Sequence, residues 1–404
     1  MTTSAALAAG SRWVGPFCPE SDRVTVRLSH GVLDVTVTRA DLPLDALMGF
    51  ASRRNPRRPF LFVSKVLGRH LPSSPAVMQE THRRLATALG DTLPGPVMML
   101  GMAETAVGLG QGVFEAWQAA SGRDDALYLA STRYHLSRPL LLTFQESHSH
   151  ATDHRVYRPD QASGGDLLAH ARTLVLIDDE VSTGATFAAL IAASRQVLPA
   201  LDQVVMVTLT DWMGEERRAA FAAHAGVPVR FVSLLEGGFR FTPTGEAPPV
   251  LPNVVGSGTL KDHLLPPWGA RLGERGPRAL PPSAAGARVR PGERVLVLGT
   301  GEFVHPPFQL ARALAAQGGD VVMQATTRSP ILPGHAIGAA LEFPDAYQDG
   351  IPNYLYGVSP DQYDRILVCY ETPPATAQQS LIDALGAQPV YFANHDEEGR
   401  ACNA

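Results

Sequence analysis

The chain has 404 residues and a formal net charge of −5, from 34 basic and 39 acidic side chains. With 45% apolar and 18% charged residues, the composition indicates a globular protein and excludes a coiled coil, a fibre or a charged disordered chain. The mildly acidic balance argues against general nucleic-acid binding, and no run approaches the about 20 apolar residues of a membrane helix. Three separated cysteines without metal-ligand spacing fit a reducing compartment. We therefore expect a cytoplasmic protein without a zinc site.

The beginning of the chain predicts an antiparallel hairpin. Residues 22–28 and 32–38 alternate apolar and polar side chains around a Ser-His-Gly turn at 29–31. A turn rich in arginine and proline follows at 53–59, and a short apolar run follows it at 60–63.

From residue 97 onward the pattern changes to alternating strands and helices. Buried strands are predicted by apolar runs at 97–100, 174–177, 204–209 and 229–234. The segments between these runs have helical periodicity. This alternation favours an α/β fold with a mainly parallel sheet flanked by helices.

A linker is expected at 264–292, where the sequence is dense in Pro, Gly and Arg and has no periodicity. Lys261, at its edge, is expected to be solvated. Beyond the linker we predict a smaller, Rossmann-like α/β unit. Its expected elements are strands at 294–298, 320–324 and 365–370 and a helix around 309–316. The chain would then have two domains, at 1–263 and 293–404.

The most informative segment is a predicted strand, loop and helix start at 174–186. The apolar strand ends in two adjacent carboxylates, Asp178 and Asp179. Backbone N–H groups at a helix N-terminus, together with hydroxyls and a glycine, can form a phosphate cradle. The cradle residues here are Ser182, Thr183, Gly184, Ala185 and Thr186. Because the carboxylates could accept hydrogen bonds from vicinal hydroxyls, the motif suits a 5-phosphosugar. The alternative is a helix cap formed by the two aspartates.

A second strand, loop and helix start lies upstream. Its loop comprises Gly101, Met102, Ala103, Glu104 and Thr105. Main-chain amides of such a loop could bind an anion, or the loop could be only a glycine-softened turn between buried elements. Glu104 is unusual in an anion-binding loop and could contact a metal ion or the acceptor instead.

Histidines are concentrated in the interval between these two motifs. His148, His150 and His154 lie within a span of seven residues, in a polar stretch that also contains Glu146. We predict catalytic roles in proton transfer or phosphate contact for Glu146, His148 and His150. A His-x-His-x3-His metal site is an alternative, although no nearby cysteine or carboxylate pair completes it. A solvated polar loop is the third interpretation.

Three basic residues are further candidates for anion binding. Lys65 is one of only two lysines and lies near Arg69; its ammonium could meet a phosphate or carboxylate, or could be solvated. Arg328 belongs to a Thr-Arg-Ser-Pro tetrapeptide at a predicted strand end, and its planar guanidinium suits a phosphate or carboxylate. The alternative for Arg328 is a structural ion pair with Glu302 or Glu371.

The segment at 174–186 resembles the signature of type I phosphoribosyltransferases for 5-phosphoribosyl-1-pyrophosphate (PRPP): four apolar residues, two acidic, two variable, then the hydroxyl- and glycine-rich cradle. The resemblance implies that Asp178 and Asp179 hold the ribose hydroxyls beside Mg²⁺ and that the cradle binds the 5-phosphate. It also implies that the loop at 101–105 binds pyrophosphate and that the histidine-rich interval is a mobile catalytic loop. Ser182 replaces an acidic general base of several base-salvage members, so the base must come from elsewhere.

The C-terminal unit resembles the TRSP domain through its Thr-Arg-Ser-Pro tetrapeptide at 327–330 and a Gly-Thr-Gly-Glu-Phe loop at 299–303. That domain follows a divergent phosphoribosyltransferase domain encoded with tellurium-resistance and stress-response genes. The resemblance implies a type I phosphoribosyltransferase core followed by a smaller α/β domain. The TRSP domain would complete the acceptor site or perform a linked step.

These resemblances imply an enzyme that transfers the phosphoribosyl group of PRPP, with Mg²⁺, to a nitrogenous base or similar acceptor. Pyrophosphate would be released, a membrane would not be involved, and a homodimer is compatible with the family. A sensor of PRPP or nucleotides without turnover is the alternative function. A scaffold within a stress complex is a third, and it would leave Asp178 and Asp179 without a role.

Overall fold

A computed structural model describes residues 23–145, 153–245, 258–262, 270–374 and 378–392. Its strands are β1 (Arg23–Leu28), β2 (Gly31–Ala40), β3 (Met48–Ser52), β4 (Phe60–Ser64), β5 (Val97–Gly101), β6 (Ala126–Ala130), β7 (Leu140–Gln145), β8 (Asp153–Tyr157), β9 (Thr173–Val181), β10 (Gln203–Asp211), β11 (Val229–Pro243), β12 (Arg294–Gly299), β13 (Asp320–Ala325), β14 (Ala340–Pro344), β15 (Pro352–Tyr356), β16 (Arg365–Tyr370) and β17 (Gln388–Tyr391). Its α-helices are α1 (Leu44–Leu47), α2 (Pro75–Leu89), α3 (Val107–Ser121), α4 (Ala185–Arg195), α5 (Gly214–His224), α6 (Pro282–Ala285), α7 (His305–Ala315) and α8 (Gln379–Leu385). None of these helices is long and apolar enough to span a membrane.

A seven-stranded sheet in the order β1-β2-β11-β10-β9-β5-β6 forms the larger unit. The five strands from β11 to β6 are parallel to one another. The β1–β2 hairpin joins the β11 edge in the antiparallel sense. The expected N-terminal hairpin and the mainly parallel sheet are both confirmed.

The central strands are apolar throughout because both faces of the sheet are covered. On β9, Val175 and Ile177 belong to the core cluster that includes α2 and α3 residues. Leu174 and Leu176 face the opposite cluster, which contains residues of α4. Alternation of side chains along a strand produces this division. The arrangement holds the carboxyl end of β9 rigidly between two cores.

The smaller unit contains a four-stranded parallel sheet in the order β13-β12-β16-β17. Its core is continuous with that of the larger unit, since Val295, Phe308 and Met323 belong to the same cluster as the α2 and α3 residues. The rings of His82 and Phe308 lie 5.3 Å apart at this junction. Both units therefore pack as one body around the site described below, in a mixed α/β fold with the two sheets expected from the sequence.

The described part of the proline-rich segment, residues 270–292, is packed against both units. Arg271 and Glu274 are buried, and the backbone of Glu274 pairs with that of Tyr128 on β6. The expectation that Lys261 is solvated is wrong, because its side chain is 3% exposed and its Nζ lies 2.9 Å from Asp349 Oδ1. The domain boundary itself stays a prediction.

Candidate functional site

A cavity opens at the carboxyl ends of β5 and β9, which are neighbouring parallel strands. Its wall comes from several separate parts of the chain. The larger unit contributes residues 102–105 after β5 and residues 178–187, which run from the end of β9 into α4. The smaller unit contributes the tetrapeptide at 327–330. The remaining lining residues are Arg53, Arg58, Leu61, His70, Arg133 and His154. The carboxyl edge of a parallel sheet is where ligands bind in α/β folds.

The loop between β9 and α4 has the form expected of a phosphate cradle. All five of its predicted residues, 182–186, line the cavity. Gly184 precedes the helix with φ 78°, in the left-handed region, and a Cβ there would lie 2.8 Å from Phe221 Cδ2. The helix is anchored by buried residues spaced three and four positions apart on one face, Phe187, Leu190 and Ile191. Its N-terminus, with the amides and positive dipole end that bind anions, is thereby fixed at the cavity.

Three consecutive carboxylates line the cavity beside this cradle. The backbone N–H of Asp179 donates to Asp178 Oδ1 at 2.9 Å, and Glu180 Oε1 lies 2.7 Å from Arg58 Nη1. Burial, with the charge of Glu180, raises the pKa of Asp179 to about 6. A bound cation would relieve this unfavourable charge.

The donor chemistry at Asp178 and Asp179 fits Mg²⁺. This ion prefers hard oxygen ligands and usually takes one or two carboxylates together with water and substrate phosphates. Among the described residues, no group of three or more His, Cys, Asp or Glu side chains could hold a metal by itself.

The loop after β5 reaches the same cavity, but two of its amides are already bonded within the protein. The N–H of Met102 donates to Ile177 O at 3.0 Å, and that of Ala103 donates to Ser131 Oγ at 2.9 Å. The same hydroxyl lies 3.1 Å from His154 Nδ1. Gly101 is the last residue of β5 and packs behind the loop, against Tyr128. The amides of Met102 and Ala103 are thus already used within the protein.

Glu104 is held by two arginines at the cavity wall. Arg69 Nη1 donates to Glu104 Oε1 at 2.8 Å, and Arg69 Nη2 donates to the Glu104 carbonyl at 2.8 Å. Arg328 Nε lies 3.4 Å from Glu104 Oε2. Burial alone would raise the pKa of Glu104, but the charges of Arg69, Arg328 and Arg133 lower it below its usual value. Glu104 is therefore a carboxylate ion that orders the surrounding arginines.

The alternative interpretation, in which Arg328 forms a structural ion pair with Glu302 or Glu371, is wrong. Glu302 and Glu371 bind Arg271 instead, which contacts Glu371 at 2.8 and 2.9 Å and Glu302 at 3.1 Å. The reason is that the segment after residue 269 packs against both units. This packing brings Arg271, instead of Arg328, to Glu302 and Glu371. Arg328 contacts Glu104 and lines the cavity instead.

The remaining candidates lie in different places. Lys65 lies away from the cavity wall, and its Nζ donates to the Asp45 carbonyl at 2.6 Å. Arg69 lies behind the wall, with its side chain 2% exposed. The catalytic candidates Glu146, His148 and His150 lie outside the described residues. The strands that flank them, β7 and β8, pair as an antiparallel hairpin whose His154 reaches the cavity.

Several lining residues were missed in the sequence. Arg53 and Arg58 belong to the arginine-rich turn, which was noted but assigned no site. Glu180 continues the pair of aspartates as a third acid. His70 lies beside the conspicuous Arg69; burial and then the Arg69 charge lower the pKa of His70 to about 3, so it is neutral. The cluster of four arginines at 53–58 is the sequence feature that could have predicted this part of the cavity wall.

Two family models match the chain, one in each of its two units. Residues 47–238 match the model of a family described as phosphoribosyl transferase, and residues 277–385 match the TRSP domain, described as C-terminal to that family's domain. The chain belongs to this family of phosphoribosyl transferases with a C-terminal TRSP domain. The expected fold class, a type I phosphoribosyltransferase core with a second α/β domain, is confirmed.

The solved structures that match the chain are distant in sequence. Adenine phosphoribosyl transferase from Trypanosoma brucei is 14% identical with a TM-score of 0.33, over 47% of this chain and 77% of that one. The adenine enzyme from Leishmania donovani is 15% identical with a TM-score of 0.35, over 48% and 78%. A hypoxanthine phosphoribosyltransferase from Staphylococcus aureus is 13% identical with a TM-score of 0.24, over 36% and 69%. No curated protein matches the chain.

Proposed function

We propose that the cavity binds PRPP with Mg²⁺ and that the protein transfers the phosphoribosyl group to a nitrogenous base or similar acceptor, releasing pyrophosphate. The observation that carries this proposal is the placement of two loops, at 102–105 and 182–186, on neighbouring strands with paired carboxylates between them. PRPP has the same layout, with one anionic group at each end of a diol. Membership of a phosphoribosyl transferase family supports the same reaction.

Each part of PRPP has a proposed binding partner. Ser182, Thr183, Gly184, Ala185 and Thr186 bind the 5-phosphate at the N-terminus of α4. Asp178 and Asp179 accept hydrogen bonds from the ribose hydroxyls and are the protein's contacts to Mg²⁺. The loop at 102–105 faces the pyrophosphate. When bound, Mg²⁺ would supply charge neutralisation for the leaving pyrophosphate.

The proposed reaction is a substitution at ribose C1. A nitrogen lone pair of the acceptor forms the new bond to C1 while the C1–oxygen bond breaks, and pyrophosphate leaves with that electron pair. The acceptor nitrogen then loses a proton. Because Ser182 cannot accept it, Glu146, His148 and His150 remain our proposed proton-transfer residues. Support comes from the neighbouring His154, which lies at the cavity with its ring stacked 4.6 Å from Phe144.

The acceptor wall is proposed to include the TRSP domain. The tetrapeptide at 327–330 lines the same cavity as the cradle, together with Arg53 and Arg58 of the arginine-rich turn. The Arg54 amide donates to the Pro330 carbonyl at 3.1 Å, which joins the two parts of this wall. This favours completion of the acceptor site over a separate reaction in the second domain. We also propose, on the family resemblance, that the reaction belongs to a cytoplasmic pathway associated with tellurite resistance or stress.

Incubation of the protein with PRPP, Mg²⁺ and a panel of bases tests the transfer. We expect pyrophosphate release and an acceptor whose mass increases by one phosphoribosyl unit. The double variant Asp178→Asn/Asp179→Asn should release no pyrophosphate above background, whereas the exposed control Asp166→Asn should retain the wild-type rate. Tight PRPP binding without turnover, for every base and for a cell extract, would contradict transfer and favour the sensing function.

A further inference from the structure

Arg328 lines the cavity from the second domain and has a hydrogen-bond donor without a partner in the described part of the chain. Its side chain is 11% exposed. Its Nε is oriented by Glu104, and its guanidinium carbon lies 5.7 Å from the centroid of the Tyr134 ring. Among the described residues, its buried Nη2 has no hydrogen-bond partner. A buried guanidinium nitrogen without a partner is costly, so this one is ready to bind an anionic oxygen of a ligand.

The neighbouring loop offers fewer main-chain donors for the same purpose. Two of its amides, those of Met102 and Ala103, are bonded inside the protein. The carboxylate of Glu104 would also repel an incoming anion unless cations compensate for it. An anion at this loop therefore gains from a nearby side-chain cation. Arg328 contacts Glu104 directly and lines the cavity.

The position of Arg328 distinguishes between the two anionic groups of PRPP. The cradle at 182–186 has its own helix N-terminus for the 5-phosphate, after β9. Arg328 contacts Glu104 in the loop that follows β5, the strand next to β9 in the sheet. The two loops are thus separated by about 5 Å in the direction across the strands, as two different substituents of one ribose require.

We propose that Arg328 of the second domain binds the pyrophosphate group of PRPP, so that the donor site is completed by the TRSP domain of the same chain. The proposal rests on the proposed function and assigns the second domain a part in donor binding. Arg69 and Glu104 act as positioning residues. Arg69 fixes Glu104 through two bonds, and Glu104 orients Arg328 through Nε, which leaves the Nη2 edge for the pyrophosphate.

Calorimetric titration with two separate ligands, magnesium pyrophosphate and ribose 5-phosphate, tests this assignment. Arg328→Gln removes the charge, Arg328→Lys retains it without the planar fork, and Arg294→Gln removes an exposed arginine of the same domain that pairs with Asp364. We expect Arg328→Gln to weaken pyrophosphate binding about ten- to hundredfold, the loss typical of a charge-assisted hydrogen bond. Arg328→Lys should fall between Arg328→Gln and the wild type. All three variants should bind ribose 5-phosphate as the wild type does.

Each outcome of the titration decides the proposal. Wild-type pyrophosphate affinity in Arg328→Gln would overturn it, as would a wild type that does not bind pyrophosphate. Equal losses of affinity for both ligands in both Arg328 variants, with unchanged melting temperatures, would also overturn it. Such losses would show that Arg328 does not contact the pyrophosphate specifically. A wild type that binds pyrophosphate through Arg328 but does not bind ribose 5-phosphate would contradict the proposed function and leave the anion site standing.

Discussion

The buried Arg69 and the partly buried Glu104 form an ion pair, 2.8 Å long, at the junction of the two domains. The same guanidinium donates to the carbonyls of Gly301 at 2.9 Å and Thr326 at 2.8 Å, both in the second domain. One side chain thus fixes a loop of the cavity and two loops of its neighbour. The geometry of the site depends on contact between the domains.

Replacement of Arg69 by methionine should strongly destabilise the fold. The variant leaves Glu104 partly buried without its closest cation and leaves two buried carbonyls without a donor. We expect the free energy of unfolding to fall by about 3–5 kcal/mol, the range for breaking a buried pair. Urea unfolding, followed by tryptophan fluorescence, measures this change.

The matched control for this substitution is Arg83→Met. Arg83 forms an ion pair of the same length with Glu80, but its side chain is 60% exposed. We expect a loss of less than about 1 kcal/mol there. Losses of similar size in the two variants would contradict the structural role assigned to Arg69.

Gly184→Ala should damage the phosphate cradle through both backbone and packing. The residue has φ 78°, and the added Cβ would lie 2.8 Å from the Phe221 ring. Gly122→Ala is the matched control, with φ 67° and nothing within 4 Å of a Cβ. We expect Gly122→Ala to cost about 1–2 kcal/mol from φ alone and Gly184→Ala to cost more.

The two glycine variants should also differ in ligand binding. Titration with ribose 5-phosphate should show weakened binding for Gly184→Ala and unchanged binding for Gly122→Ala, because only the former displaces the start of α4. Unchanged affinity in Gly184→Ala would place the 5-phosphate elsewhere.

Asp179 should make stability depend on pH in a defined window. Burial and Glu180 raise its pKa from 3.8 to about 6. The folded protein therefore holds this proton more tightly than the unfolded chain, and stability falls as the pH rises between about 4 and 6. Asp179→Asn is neutral throughout and lacks this loss. The stability of the variant relative to wild type should rise by about 1–3 kcal/mol between pH 4 and pH 7.

Urea unfolding of both proteins across this pH range measures the effect. Above about pH 6 the difference between them should become constant, because the carboxyl group is then ionised in both states. A difference that does not change with pH, or one that falls as the pH rises, would show that the Asp179 carboxyl has an ordinary pKa.

The main sheet and the cradle could be predicted because their signals are local. The four apolar residues before Asp178 indicate a strand buried on both faces, and the Ser-Thr-Gly loop indicates a helix start with a left-handed residue. The N-terminal hairpin was similarly visible as strict alternation around a glycine turn. In each case the residues that determine the structure are adjacent in sequence.

The other walls of the site could not be predicted in the same way because they depend on distant contacts. Arg328 meets Glu104 across 224 residues, and no local pattern indicates which carboxylate an arginine will reach. Arg271 lies in a segment without periodicity, yet it takes both of the glutamates considered for Arg328. Lys261 was similarly expected in solvent, but Asp349 and the surrounding fold bury it.

Calorimetric titration of PRPP in the presence of Mg²⁺ tests the central claim most directly. Wild type and the control Asp166→Asn should bind PRPP with the same affinity, and Asp178→Asn/Asp179→Asn should lose at least about tenfold in affinity, through the ribose hydroxyls and the metal. Equal binding of PRPP by wild type and the double variant, or no binding by either, would contradict the assignment of the cavity as a phosphoribosyl donor site.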